Sequence, residues 1–278
     1  MIDVSLGDLV RFHPYRFLTV TVIVLFSVTS ACSSSKSTES NAATSAGGQK
    51  LVTPGTLTIC ADFAGPPFAF EENGKLTGFE VELVDAMAPS MNLATNWIDT
   101  PFDSVFSALD AGKCDVIASG LSITDERKKH VNFTDATFYA DQSLVVRAKD
   151  AAVTKNLADL AGKTIGAQAG TTGQAFAEKN KAATTSIKLF PGDDAMFAAL
   201  GAGEINAIVQ DFPFSHYRAS KNPNEFAVVQ RYPTGEQYAM AVAKSNTALV
   251  DKLNTALASL EADGTYNGIY NQWFGATN

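Results

Sequence analysis

Residues 106–120 align without a gap on residues 197–211. Both stretches read as an apolar helix, a glycine turn at Gly112 or Gly203, and a buried strand over 114–118 or 205–209. A chain that holds this unit twice is constrained towards an α/β class with two halves of like construction, because a strand fed by a helix packs back into a mostly parallel sheet. Units of this kind are common, so chance similarity is the alternative. The rest of the chain from Leu51 fits the repeat. Short β-rich runs over 57–60, 95–98, 165–168 and 187–190 alternate with helical spacing over 80–91 and 104–111. Val81, Leu83, Val84 and Met87 fall on one side of the first of these helices, and the tail over 248–273 is helical.

In open parallel sheets a ligand sits beyond the carboxyl ends of the strands. The residues just past the repeated strands are Ser119 and Gly120 in one half and Gln210 and Asp211 in the other. Two facing halves bring both pairs to one cleft. Asp211 follows an apolar strand, where an unpartnered carboxylate is costly. An ammonium guest would satisfy it; an N-cap for the segment from Phe212 is the alternative. Arg127 stands where the chain leaves a strand and enters a helix, with Thr124 placed as its N-cap. That puts Arg127 near the cleft, unless it is a solvated residue beside Lys128 and Lys129. Gly170-Thr171-Thr172-Gly173 follows a strand and opens a helix, so it offers backbone N–H groups and hydroxyls to an anion. It lacks the lysine of a phosphate loop. A cation, an anion seat and a carboxylate around one cleft suit a small zwitterion.

Other chemistries find less support. Asp62 and Asp211 are the pair an acid–base mechanism would use, but no nucleophile elbow or paired constellation accompanies them. His13, His130 and His216 are scattered without cysteine partners, so neither a metal nor another cofactor is expected. A net charge of −8 with no basic stripe argues against a nucleic-acid partner.

The start of the chain reads as an address. Arg11 and Arg16 precede a charge-free apolar run over 17–28, too short to span about 30 Å of hydrocarbon comfortably and suited to a signal-peptide core. The run ends Val28-Thr29-Ser30-Ala31-Cys32, which resembles a bacterial lipobox. The expectation is a signal peptide over 1–31, then a lipidated Cys32 and a flexible, Ser-rich tether over 32–50. Thr29 stands where an aliphatic residue is usual, and Asp3 and Asp8 sit in a long leader. An uncleaved anchor, a plain secretory signal with a free Cys32, and a start downstream of Met1 are the alternatives. Cys60 and Cys114 remain, and an even remainder in an exported chain points to a disulfide rather than two buried thiols.

These residues together resemble extracellular solute-binding protein family 3, the amino-acid receptors of ABC importers. The resemblance covers roughly residues 51–275. It rests on Asp62 with Pro66-Pro67-Phe68, Gly78-Phe79-Glu80-Val81-Glu82-Leu83, Gly112-Lys113-Cys114-Asp115, residues 119–127, Gly170-Thr171-Thr172, Gln210-Asp211 and Trp273-Phe274-Gly275. It implies a two-lobed periplasmic-binding-protein fold of type II, each lobe a mostly parallel sheet flanked by helices, with two hinge crossings. Lobe one would hold 51–139 and 237–278, and lobe two 140–236. The implied protein is an extracytoplasmic, monomeric receptor and not an enzyme. It would be anchored to the cell membrane through Cys32 and would pass a polar amino acid, glutamine or glutamate, to the membrane subunits of an ABC permease.

The resemblance also assigns roles. Arg127 would clamp the α-carboxylate, helped by Ser122 and Thr172. Asp211 would take the α-ammonium, helped by Ser122 and the Gly120 carbonyl. Asp62 would face the ligand side chain, Phe102 would form an apolar wall, and Gln168 would approach from the second lobe. Ser119 and Thr171 complete the set. The family usually has an aromatic residue where this chain has Gly65, so one wall is missing or Phe63 replaces it, which permits a bulkier or differently posed side chain. A cyclohexadienyl dehydratase-like enzyme and an amino-acid sensor lipoprotein are the readings that share this scaffold.

Overall fold

The computed structural model describes residues 50–275. The expected signal peptide, Cys32 and nearly all of the tether lie outside the described residues. Two five-stranded sheets organise the remainder. The first runs in the order Ala94–Asp99, Thr56–Ala61, Val116–Ile117, Ala241–Ala243, Val131–Phe133. Its first three strands are parallel, and Ala241–Ala243 is antiparallel to both of its neighbours. The second runs in the order Ser186–Phe190, Thr164–Gln168, Ala207–Asp211, Phe138–Arg147, Phe226–Tyr238. Again three strands are parallel, and the last two extend the sheet antiparallel.

The repeated unit occupies equivalent places. Val116–Ile117 pairs in parallel with Thr56–Ala61, and Ala207–Asp211 pairs in parallel with Thr164–Gln168. Each is preceded by a helix, Val105–Asp110 or Asp193–Ala202, and by a glycine with φ of 67° at Gly112 or 81° at Gly203. A side chain at such a left-handed position is strained, which explains glycine at both aligned sites. The strands are continuous apolar runs because helices cover both faces, and residues 57–61 are all buried.

Element ends differ from the sequence expectation where backbone chemistry intervenes. The helix expected over 80–91 is α-helical only at Phe79–Met87 and closes as a 3-10 turn, Ala88–Met91, because Pro89 has no N–H to continue the ladder. The helical tail is two helices, Thr247–Ala262 and Thr265–Phe274, broken at Gly264 with φ 84°. Cys60 and Cys114 form a disulfide across 54 residues of sequence. On the chain-entropy model, closing a loop of that length destabilises the unfolded chain by about 4 kcal/mol.

Two neighbouring strands, Phe138–Arg147 and Phe226–Tyr238, run from one half into the other. Phe138 and Tyr238 belong to the core that holds Phe68 and Phe79, whereas Val145 and Phe226 pack with Phe190 and Met196. Their pairing is interrupted between Tyr232 and Glu236.

Candidate functional site

The carboxyl ends of both sets of parallel strands open on one cleft. Asp62, Phe102, Ser119, Gly120, Ser122 and Arg127 line it from the first half, and Gln168, Thr171, Thr172 and Asp211 from the second. The structure therefore brings together every ligand-contacting residue expected from the sequence.

Arg127 lies on the short helix Asp125–His130, whose cap is made by Thr124 Oγ1 accepting the Arg127 N–H at 3.1 Å. Its guanidinium donates to the Ser122 carbonyl at 2.7 Å and, across the cleft, to the Gly170 carbonyl at 3.1 Å. It lies 5.6 Å from the Phe102 ring and 5.7 Å from the Phe106 ring, which hold its plane by cation–π attraction. Its other N–H groups have no acceptor among the described residues. Burial pulls its pKa down while Asp211 and Glu236 push it up, and an arginine so placed remains a cation.

Opposite stands the helix Thr172–Asn180. Thr171 is its cap, accepting from the Gln174 N–H at 3.1 Å and donating to the Gln168 carbonyl at 2.8 Å. The Thr172 hydroxyl lies 3.4 Å from Ser122 Oγ. Hydroxyls from the two halves thus meet beside Arg127.

Asp211 ends the strand Ala207–Asp211 and is only 8% exposed. Its carboxylate caps no helix N–H; it accepts from the Tyr238 hydroxyl and from Gln142 Nε2. Burial, reinforced by the nearby Glu236 charge, pushes its pKa up to about 7 against the pull of those donors and Arg127. A carboxylate so raised and lining a cleft makes Asp211 a candidate functional group.

At the other end, Asp62 accepts from the Ala64 N–H at 3.0 Å, the Phe102 N–H at 3.3 Å and Gln168 Nε2 at 3.2 Å. Burial raises its pKa all the same. Ser119 Oγ accepts the Asp62 N–H at 3.0 Å, so this hydroxyl fixes the Asp62 backbone. Gly120 has φ 57°, and a Cβ there would sit 2.7 Å from the Phe214 ring. Its N–H donates at 2.7 Å to Glu80, a buried carboxyl whose second oxygen has no partner among the described residues and whose pKa burial raises to about 7.

The wall left open at Gly65 is filled from the opposite half. A Cβ on Gly65 would meet Phe214 at 3.3 Å, and Phe214 lines the cleft. Phe63 instead packs beside Ala61 and Ala69 and faces an outer recess with Asp99 and Glu71. Phe214, Gln142, Glu236 and Tyr238 were not expected at the site. Neither Gln142 nor Glu236 carried a local signal in the sequence.

Residues 57–276 match the family model of bacterial extracellular solute-binding proteins, family 3. The chain is 34% identical to ABC transporter arginine-binding protein 1 of Escherichia coli over 75% of this chain and 86% of that protein. It is 30% identical to the L-cystine-binding protein TcyJ of the same organism over 82% of this chain and 85% of that one. Among solved structures, an ancestral arginine-binding protein bound to glutamine superposes with a TM-score of 0.77 at 38% identity, over 81% of this chain and all of that chain.

Proposed function

We propose that this chain, which belongs to the bacterial extracellular solute-binding proteins of family 3, captures an amino acid with a cationic side chain and delivers it to an ABC permease. The observation that carries the reading is the opposition of Arg127, with N–H groups to spare, to the buried acceptor Asp211 across one cleft. That pair complements the carboxylate and ammonium of an α-amino acid. Ser122, Thr172 and the end of the helix Thr172–Asn180 support the carboxylate end.

The side chain follows from charge balance. Asp62, Asp211 and Glu236 stand against Arg127, while Asp193 is already paired with Arg218 at 2.8 Å. A glutamate side chain would add a carboxylate facing Asp62. A glutamine amide supplies donors without charge, and a guanidinium supplies both. This favours arginine first and glutamine second, and two of the relatives above carry those ligands in their names, arginine in one and both in the other. A melting-temperature panel of the twenty amino acids checks it. L-arginine should give the largest rise, since a ligand at a hundred times its Kd adds about 2.7 kcal/mol. A panel with no rise for any amino acid would sink the receptor reading.

We read the cleft as a receptor without turnover, acting as a monomer in transport rather than sensing. The check is that the ligand is recovered chemically unchanged after titration. The lipobox-like residues 28–32 support an anchored, extracytoplasmic location. Cys32→Ala should move the protein from the membrane fraction to the soluble one, and unchanged fractionation would remove the anchor from the account.

A further inference from the structure

We infer that Glu236, on the second crossing strand, shares with Asp211 the task of receiving the ligand's α-ammonium; this rests on the reading of the cleft as an amino-acid site. The Glu236 carboxylate accepts from Ser122 Oγ at 2.7 Å and from Gln142 Nε2 at 2.7 Å. The same nitrogen donates to Asp211 and lies 3.3 Å from Thr172 Oγ1. An amide nitrogen carries two hydrogens, so three acceptors compete for them. Two of those acceptors are carboxylates, and a neutral amide cancels neither charge. Turning the amide over would only set its oxygen against both carboxylates. Arg127 directs two N–H groups to the Ser122 and Gly170 carbonyls and, although its charge is felt at Asp211, forms no ion pair with either acid among the described residues. The cluster is therefore short of hydrogens and has no cation in direct contact, and a primary ammonium supplies both.

The backbone accounts for the arrival of Glu236. Pairing between the crossing strands reaches Tyr232 opposite Gln142 and resumes with Glu236 opposite Ala140. Residues 233–235 between them have no strand partners, and Gly235 has φ 65°. An irregularity of this kind re-aims the side chain beside it. Thr234 Oγ1 donates to Glu236 at 3.1 Å and restrains the carboxylate further.

Calorimetric titration of wild type, Glu236→Gln and Asp211→Asn tests the role, with L-arginine and with 5-guanidinopentanoate, the same molecule without its α-ammonium. Glu236→Gln should weaken L-arginine about tenfold and leave 5-guanidinopentanoate unchanged or tighter. The pH below which L-arginine affinity declines should also fall in this variant, because Asp211, faced by Tyr238, Gln142, Glu236 and Arg127, loses its like-charged neighbour. Melting curves of the unliganded variants report that each is folded. Unaltered L-arginine affinity in Glu236→Gln beside a large loss in Asp211→Asn would overturn the role of Glu236 and spare the site. An equal loss for both probes in Glu236→Gln would make Glu236 a packing residue and overturn it as well. Unaltered affinity in both variants would remove the cleft reading and this inference with it.

Discussion

Arg127→Ala should lower amino-acid affinity by a hundredfold or more. The guanidinium is held flat near Phe102 and Phe106, with two of its contacts spent on backbone carbonyls and the rest open to the cleft. A ligand carboxylate that loses this partner forfeits a charge-assisted contact and keeps its desolvation cost, together about 3 kcal/mol or more. At about 1.4 kcal/mol per decade that is the hundredfold. The unliganded fold should survive the change, since Arg127 is only partly buried and belongs to none of the hydrophobic core clusters. Calorimetry with melting curves separates the two effects. A variant that binds as tightly as wild type would remove Arg127 from the site.

Asp211→Asn should cost nearly as much affinity, and it should also change the pH dependence of binding. In the unliganded protein the Asp211 carboxyl is raised from 3.8 to about 7, first by burial and then by Glu236, while Tyr238, Gln142 and Arg127 oppose the shift. An ammonium guest requires the ionised form. Below pH 7 binding must therefore expel a proton, so wild-type affinity should fall as pH drops, approaching tenfold per unit, and should level off above 7. Asp211→Asn should lose that slope. The sign for stability is opposite to that of an ordinary salt-bridged aspartate. Between pH 4 and 7 the folded, unliganded protein keeps a proton that the unfolded chain has released. The group thus costs stability increasingly across that window, and Asp211→Asn should melt higher than wild type at pH 8. Wild-type affinity that stays flat as pH falls below neutrality would contradict the assignment.

The parts of the site that were legible in the sequence are those that local chemistry determines. Ser119, Gly120 and Asp211 follow strands whose apolar runs and glycine turns repeat in register, so topology alone carries them to the cleft. Thr124 and Thr171 sit at helix starts and cap them as their residue type predicts. Gln142, Glu236 and Tyr238 were not legible because they reach the cleft through the pairing of two strands about ninety residues apart, with an interruption that no local pattern encodes. Phe214 was missed for a related reason. The sequence marks the gap at Gly65, but the ring that fills it comes from a helix of the other half. Pro89 and Gly264 trimmed the helices by rules that were available, but the helical period alone extended through them.

The central claim is that the cleft reads both α groups of an amino acid at once. Its most direct test is calorimetric titration of the wild-type protein with L-arginine, with agmatine, which lacks the carboxylate, and with 5-guanidinopentanoate, which lacks the ammonium. The account predicts that L-arginine binds and that each analogue binds at least about tenfold more weakly, agmatine by losing Arg127 and 5-guanidinopentanoate by losing Asp211. Either analogue binding as tightly as L-arginine would contradict it.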